Sequence, residues 1–138
     1  GEGAYYQRIL DYIRHEGIER NVHIPGYLTE KQISWLYRNA QALVFPSFVE
    51  GFGFPVMEAM DCGLPVITSN VSSLKELGGE GSALLVDPYR PEDIKEAMVR
   101  LVGDDALRNT LIAKGLERSV KFRWENRVGE FLAAIESV

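Results

Sequence analysis

Two glutamates, Glu50 and Glu58, flank a glycine-bearing stretch within the run PSFVEGFGFPVMEAMDCGLPV, residues 46–66. Carboxylates accept hydrogen bonds from hydroxyl groups, and a hydrogen bond to a charged group contributes about 1.5–3 kcal/mol, so a sugar or a ribose is the natural partner of such a pair. Gly51 and Gly53 would let the backbone approach a ligand with no Cβ in the way. Pro55 suits the first turn of a helix, which would bring the amides of Phe54, Val56 and Met57 to a helix N-terminus able to face an anion. A helix end contributes only roughly 0.3–1 kcal/mol to an exposed charge, so a diphosphate placed there needs further support. This stretch offers none. Between Arg38 and Lys75 there is no lysine or arginine, whereas Glu50, Glu58 and Asp61 all lie in the gap. The glutamates therefore suit the two sugars at the ends of a sugar nucleotide better than its phosphates, with Glu50 beside the transferred sugar and Glu58 beside the ribose.

Other chemistries are open to the same residues. Solvated surface carboxylates need no ligand, and a glycosidase would use two carboxyl groups roughly 5–9.5 Å apart across the bond it breaks. Gly51 and Gly53 could serve only to make a turn, and their spacing matches neither a P-loop nor a dinucleotide fingerprint. His15 and His23 have no nucleophile nearby in sequence and read as surface or strand-end residues. Cys62 is the one cysteine and has no neighbouring metal-ligand pattern. It reads as a packing residue beside a helix end, and its isolation suits a reducing, cytosolic setting.

The elements that must position these residues alternate. Tyr6, Ile9, Leu10 and Ile13 recur on one helical face that closes near Gly17, and residues 22–24 follow as a short strand. Thr29 and Gln32 have the spacing of a capping box for a second helix carrying Ile33, Leu36, Tyr37 and Ala40. Residues 42–45 form a buried strand, 46–53 a loop, and Pro55 opens a short helix ending near Cys62 and Gly63. Another strand covers 65–68, a helical turn 73–77 is broken by Gly78, Gly79 and Gly81, and a strand at 83–86 ends at Asp87 and Pro88. Three helical stripes come last: one with Ile94, Ala97, Met98 and Leu101, one over 107–120, and one with Val128, Phe131, Leu132 and Ile135, with Trp124 anchoring its start. Apolar strands alternating with helices predict an α/β fold, a doubly wound, Rossmann-like parallel sheet in three layers with extra C-terminal helices. In such a sheet ligands gather beyond the carboxyl ends of the strands, where the stretch 46–53 falls. Gly1, Glu2 and Gly3 read as a strand-to-helix turn whose strand is left out, so the chain reads as a cut piece.

Bulk properties narrow the partners. The 138 residues are 46% hydrophobic and 25% charged with a net charge of −5, spread along the chain, so no basic stripe addresses nucleic acid. No apolar run reaches the roughly 18 residues of a membrane span.

The joint string of Pro46, Ser47, Glu50, Gly51, Phe52, Gly53, Pro55, Glu58, Ala59, Met60, Gly63, Pro65 and Val66 closely resembles the signature of glycosyltransferase family four, with seven residues between the glutamates. The likeness extends through the stretch from His23 to Tyr27, the LLVDP segment 84–88 and the region of Trp124. It implies the GT-B arrangement of two Rossmann-like domains facing a cleft, with this chain as part of the C-terminal, donor-binding one. The resemblance further implies sugar transfer from a nucleoside diphosphate with retention at the anomeric carbon, no metal ion and no other cofactor. Glu50 would be the catalytic residue at the donor sugar. Gly51, Phe52, Gly53, Phe54 and Val56 would line the donor, Glu58 would hold the ribose, and Pro25, Gly26 and Tyr27 would border the base. In the family an arginine and a lysine from an earlier stretch of this domain, neither present in this sequence, assist the leaving group. The acceptor, a saccharide, lipid or small molecule, would be bound by an N-terminal domain along with a histidine opposite the donor. On this reading the isolated chain is inactive, and the whole enzyme is cytosolic or peripheral to a membrane. Lys75 departs from the family pattern, where proline precedes the glutamate matching Glu76. Two further readings keep parts of the same architecture: a non-catalytic sugar-nucleotide-binding or scaffold module, and a GT-B sugar-nucleotide epimerase or phosphorylase.

Overall fold

The computed structural model of the protein describes residues 2–122, which fall into two compact units, one up to Gln32 and one from Ile33 onward. In the first unit the amphipathic pattern forms helix α1, Glu2–His15. It begins earlier than expected and takes in Gly3, since glycine weakens a helix by about 1 kcal/mol relative to alanine without forbidding it. Gly17 ends it at φ +65°. Residues 22–24 are not a strand. A strand exists through its ladder, and Val22 and Ile24 are exposed, with the Val22 amide bonded back to the Ile18 carbonyl. The capping box forms as the spacing predicts: the Thr29 amide donates to Gln32 Oε1 at 2.9 Å and the Gln32 amide to Thr29 Oγ1 at 3.4 Å. It starts α2, Glu30–Asn39.

The second unit is built on three parallel strands, β1 (Leu43–Phe45), β2 (Val66–Ser69) and β3 (Leu84–Val86), ordered β1-β2-β3 with Leu43 opposite Val66 and Ile67 opposite Leu84. Between them run α3 (Phe54–Asp61) and α4 (Ser72–Leu77), and after them α5 (Pro91–Gly103) and α6 (Asp105–Phe122). Period-two alternation divides the central strand between two cores. Val66 packs with Val56, Ala59, Met60, Leu74 and Leu77 on one face, and Ile67 with Val86, Ala97, Leu101 and Leu111 on the other. The parallel sheet is thus covered on both faces, as the apolar strands predict. Only the central β2 is buried throughout; β1 is half-buried and β3 has Leu85 exposed, because among the described strands each of these has a ladder neighbour on one side alone.

The helix after the glycine loop ends in a Schellman motif. Gly63, at φ +71°, donates to the Met60 carbonyl at 3.0 Å, and Leu64 donates to the Ala59 carbonyl at 2.9 Å. Leu64 and Ala59 both enter the core, so the turn that stops the helix also aims the chain into β2. Against α3 lies α6, drawn close at Gly115, where a Cβ would stand 3.3 Å from Met60 Cγ, and joined by Ser119 Oγ donating to Asp61 Oδ1 at 3.1 Å. Arg118 on α6 donates to the Glu76 carbonyl, pairs with Glu80 at 3.4 Å and covers the ring of Phe122. Trp124 and the stripe of Val128, Phe131, Leu132 and Ile135 lie outside the described residues.

Candidate functional site

The carboxyl ends of the three strands release the loop 46–53, the turn into α4 and the segment after Val86. Hydroxyl groups lock the first of these, and the strand end that leads into it, in place. Thr68 Oγ1, fully buried, donates to the Phe45 carbonyl at 2.9 Å, and Ser69 Oγ, also buried, donates to the Ser47 carbonyl. At the start of α4, Ser73 Oγ donates to the Glu50 carbonyl at 3.0 Å, while the Glu50 amide donates to Ser72 Oγ at 3.4 Å. The backbone of Glu50 is therefore held on both sides by α4, which fixes where its side chain leaves the loop. These four hydroxyl residues, which hold the backbone around the loop, are positions that sequence reasoning missed. Their signal is the run TSNVSS, 68–73, since buried hydroxyls at a strand end must find partners, and the nearest unsatisfied carbonyls belong to the neighbouring loop. Ser72 itself sits at φ +51°, a left-handed conformation that costs a non-glycine residue on the order of 1 kcal/mol or more.

The two loop glycines do different work. Around Gly51 an added Cβ would meet nothing within 4 Å, so its missing side chain leaves open space. Gly53 differs from the expectation. It is buried at φ +97°, and a Cβ there would lie 2.6 Å from Leu74 Cδ2 and 3.1 Å from Leu77 Cδ1. Its bare backbone therefore serves the packing of α3 against α4. The amides of Val56 and Met57 also depart from expectation, since both donate to the Gly53 carbonyl, at 3.0 and 3.3 Å. The Val56 side chain is fully buried in the core. Pro55 has no N–H, so Gly53 and Phe54 carry the opening amides that no carbonyl within the helix can take.

An open hollow of about 660 Å³ lies against this loop, lined by Gly51, Phe52, Phe54, Ser73, Glu76, Leu77 and Phe122. It brings together three of the expected residues, Gly51, Phe52 and Phe54; Glu50, Val56 and Glu58 lie outside its lining. The ring of Phe52 contacts those of Phe54, at 5.0 Å, and Phe122, at 6.2 Å. Glu58 is exposed on α3, where its Oε2 accepts a hydrogen bond from the Tyr37 hydroxyl at 3.2 Å. Burial, joined by the negative charge and hydrogen bond of Glu58, pushes the Tyr37 hydroxyl up to about 12. Pro25, Gly26 and Tyr27 belong to the first unit, with Gly26 at φ +70° and Tyr27 almost wholly exposed. His15 and His23 are exposed, and Cys62 caps the C-terminus of α3. Among the described residues no three His, Cys, Asp or Glu side chains gather as metal ligands would, and no helix is long and apolar enough to cross a membrane.

A parallel α/β sheet, helices on both faces and a pinned glycine loop at the strands' carboxyl ends define a Rossmann-like type of domain. Residues 1–118 match the family described as glycosyl transferases group 1. The chain is 42% identical over 101 residues to an O-antigen chain mannosyltransferase B of Escherichia coli, covering 73% of this chain and 26% of that protein. It is 34% identical over 127 residues to a D-inositol 3-phosphate glycosyltransferase of Corynebacterium jeikeium, covering 91% of this chain and 30% of that one. Among solved structures, a sucrose-phosphate synthase from Thermosynechococcus elongatus superposes with a TM-score of 0.84 at 30% identity, over 99% of this chain and 36% of the synthase. The chain belongs to the group 1 glycosyltransferases, of GT-B type. It spans between about a quarter and a third of the length of these relatives.

Proposed function

We propose that the chain is the donor-binding part, the C-terminal domain, of a two-domain retaining glycosyltransferase that takes a hexose from a nucleoside diphosphate. The observation that carries this reading is the loop 46–53, fixed by Thr68, Ser69, Ser72 and Ser73 at the strand ends where such folds bind ligands. A loop whose backbone is already fixed presents its opening amides without reorganisation, which is the condition for stabilising charge that develops during reaction. In this reading the amides of Gly53 and Phe54 face the diphosphate, and Glu50 accepts hydrogen bonds from the sugar hydroxyls. Glu58 accepts from the ribose, and Pro25, Gly26 and Tyr27 border the base. The leaving group needs cationic help as well, since the segment between Arg38 and Lys75 holds no basic residue. An arginine and a lysine from outside this chain supply it, with no metal ion. The acceptor binds to the partner domain, the 138 residues alone do not turn over, and the enzyme works on the cytosolic side. The relatives named as mannosyltransferases make a mannosyl donor the first to try.

The test uses the full-length enzyme, comparing transfer with binding of the bare nucleoside diphosphate by calorimetry. Glu50→Gln should lower kcat by about a hundredfold or more, as loss of an interaction made in the transition state does, while leaving nucleotide binding within about twofold. Glu58→Ala should weaken nucleotide binding by about tenfold. Equal losses in both assays for Glu50→Gln refute the assigned roles.

A further inference from the structure

Resting on that reading of Glu58, we infer that Tyr37 is a positioning residue for the nucleotide subsite, one that turns the Glu58 carboxylate toward the ribose and thereby sets the preference for ribose over deoxyribose. Glu58 and Tyr37 are 21 positions apart and come from different helices, so the fold alone brings them together. Tyr37 leaves α2 half-buried and packs against the core cluster to which Val56, Ala59 and Met60 belong. Its hydroxyl is thereby fixed at the surface, 3.2 Å from Glu58 Oε2. An exposed glutamate otherwise samples many rotamers and must give them up on binding a ligand. A tyrosine hydroxyl anchored in the core removes much of that freedom beforehand. It occupies only one of the roughly four acceptor positions of a carboxylate, which leaves Oε1 and the rest of Oε2 for the two adjacent hydroxyls of a ribose. A tyrosine hydroxyl is protonated throughout the physiological range, so it meets the carboxylate as a donor. Tyr37 has no part in the transfer step itself. Its effect should fall on nucleotide affinity and KM, and kcat should not change.

The test uses the full-length enzyme, with GDP, UDP and ADP titrated by calorimetry and the tightest binder then compared with its 2′-deoxy and 3′-deoxy forms. Tyr37→Phe keeps the ring and removes only the hydroxyl. It should weaken the ribonucleotide by about three- to tenfold, the range of one hydrogen bond, and weaken each deoxy form, which keeps only one of the two hydroxyls, by a clearly smaller factor. In a Glu58→Ala background, Tyr37→Phe should have no further effect. If Glu58→Ala leaves binding untouched, the ribose reading and this inference fall together. If Glu58→Ala weakens binding and Tyr37→Phe does not, the inference alone is overturned. A Tyr37→Phe loss that is equal for ribo and deoxy forms, or that persists without Glu58, marks a purely structural tyrosine and overturns it too.

Discussion

Replacing Gly53 with alanine should unfold the second unit far more readily than the same change at Gly51, two residues away. Two costs add at Gly53. At φ +97° an alanine leaves the favoured regions, which costs roughly 1–3 kcal/mol. The new Cβ also meets Leu74 Cδ2 at 2.6 Å and Leu77 Cδ1 at 3.1 Å. Methyl groups can often swing away, but Leu74 is 0% exposed and Leu77 1%, so neither has space to move into. Overpacking of that kind costs about 1–3 kcal/mol. A total near 4 kcal/mol corresponds to a fall in Tm of roughly 10–15 °C for a domain of this size. Gly51→Ala meets no atom within 4 Å and should stay within about 0.5 kcal/mol of the parent. Urea and thermal unfolding of the purified proteins measure both. Placing Gly53→Ala on a Leu74→Ala background then isolates the share owed to Leu74, since that clash disappears while the backbone strain and the tight contact with Leu77 remain. A Gly53→Ala protein as stable as the parent, or a Gly51→Ala protein equally damaged, would refute the division of labour between these glycines.

Two further outcomes follow from the same contacts. Thr68→Val keeps the shape of a fully buried side chain but withdraws the hydrogen bond to the Phe45 carbonyl, and should cost about 1–2 kcal/mol in urea unfolding; no loss would mean that the hydroxyl does not pin the loop. The Tyr37 hydroxyl, raised from 10.0 to about 12, binds its proton more tightly in the folded state, so its contribution to stability is complete below pH 10 and is lost as pH rises through 12. The stability gap between parent and Tyr37→Phe should therefore narrow between pH 10 and 12. The absorbance titration of Tyr37→Phe should lack a transition near 12, and a missing transition near 10 instead would disprove the shift.

The amino-acid sequence by itself determined the elements and their class, because helix and strand periods, caps and proline or glycine stops are local properties. The Thr29 and Gln32 box, the stop at Gly63 and the apolar runs of the second unit all formed as their spacing predicts. So did the place of the glycine loop, since a parallel sheet directs its loops to the carboxyl ends of its strands. Only the tertiary structure decided what needed a distant partner. Residues 22–24 carry a strand-like pattern, but a strand requires a ladder that its own residues cannot supply. Gly51 and Gly53 look alike in the chain and became different when Leu74 and Leu77 arrived beneath one of them. The amide of Val56 was committed to the Gly53 carbonyl by the exact start of a helix, a boundary that residue types leave open by a position or two. The hydroxyls of 68–73 gained their role only when the sheet set them beside the loop, and Tyr37 met Glu58 only because two helices pack against one core. Local energetics are written along the chain, whereas the pairing of groups 20 or more positions apart is settled by which surfaces bury each other, and that is a property of the fold.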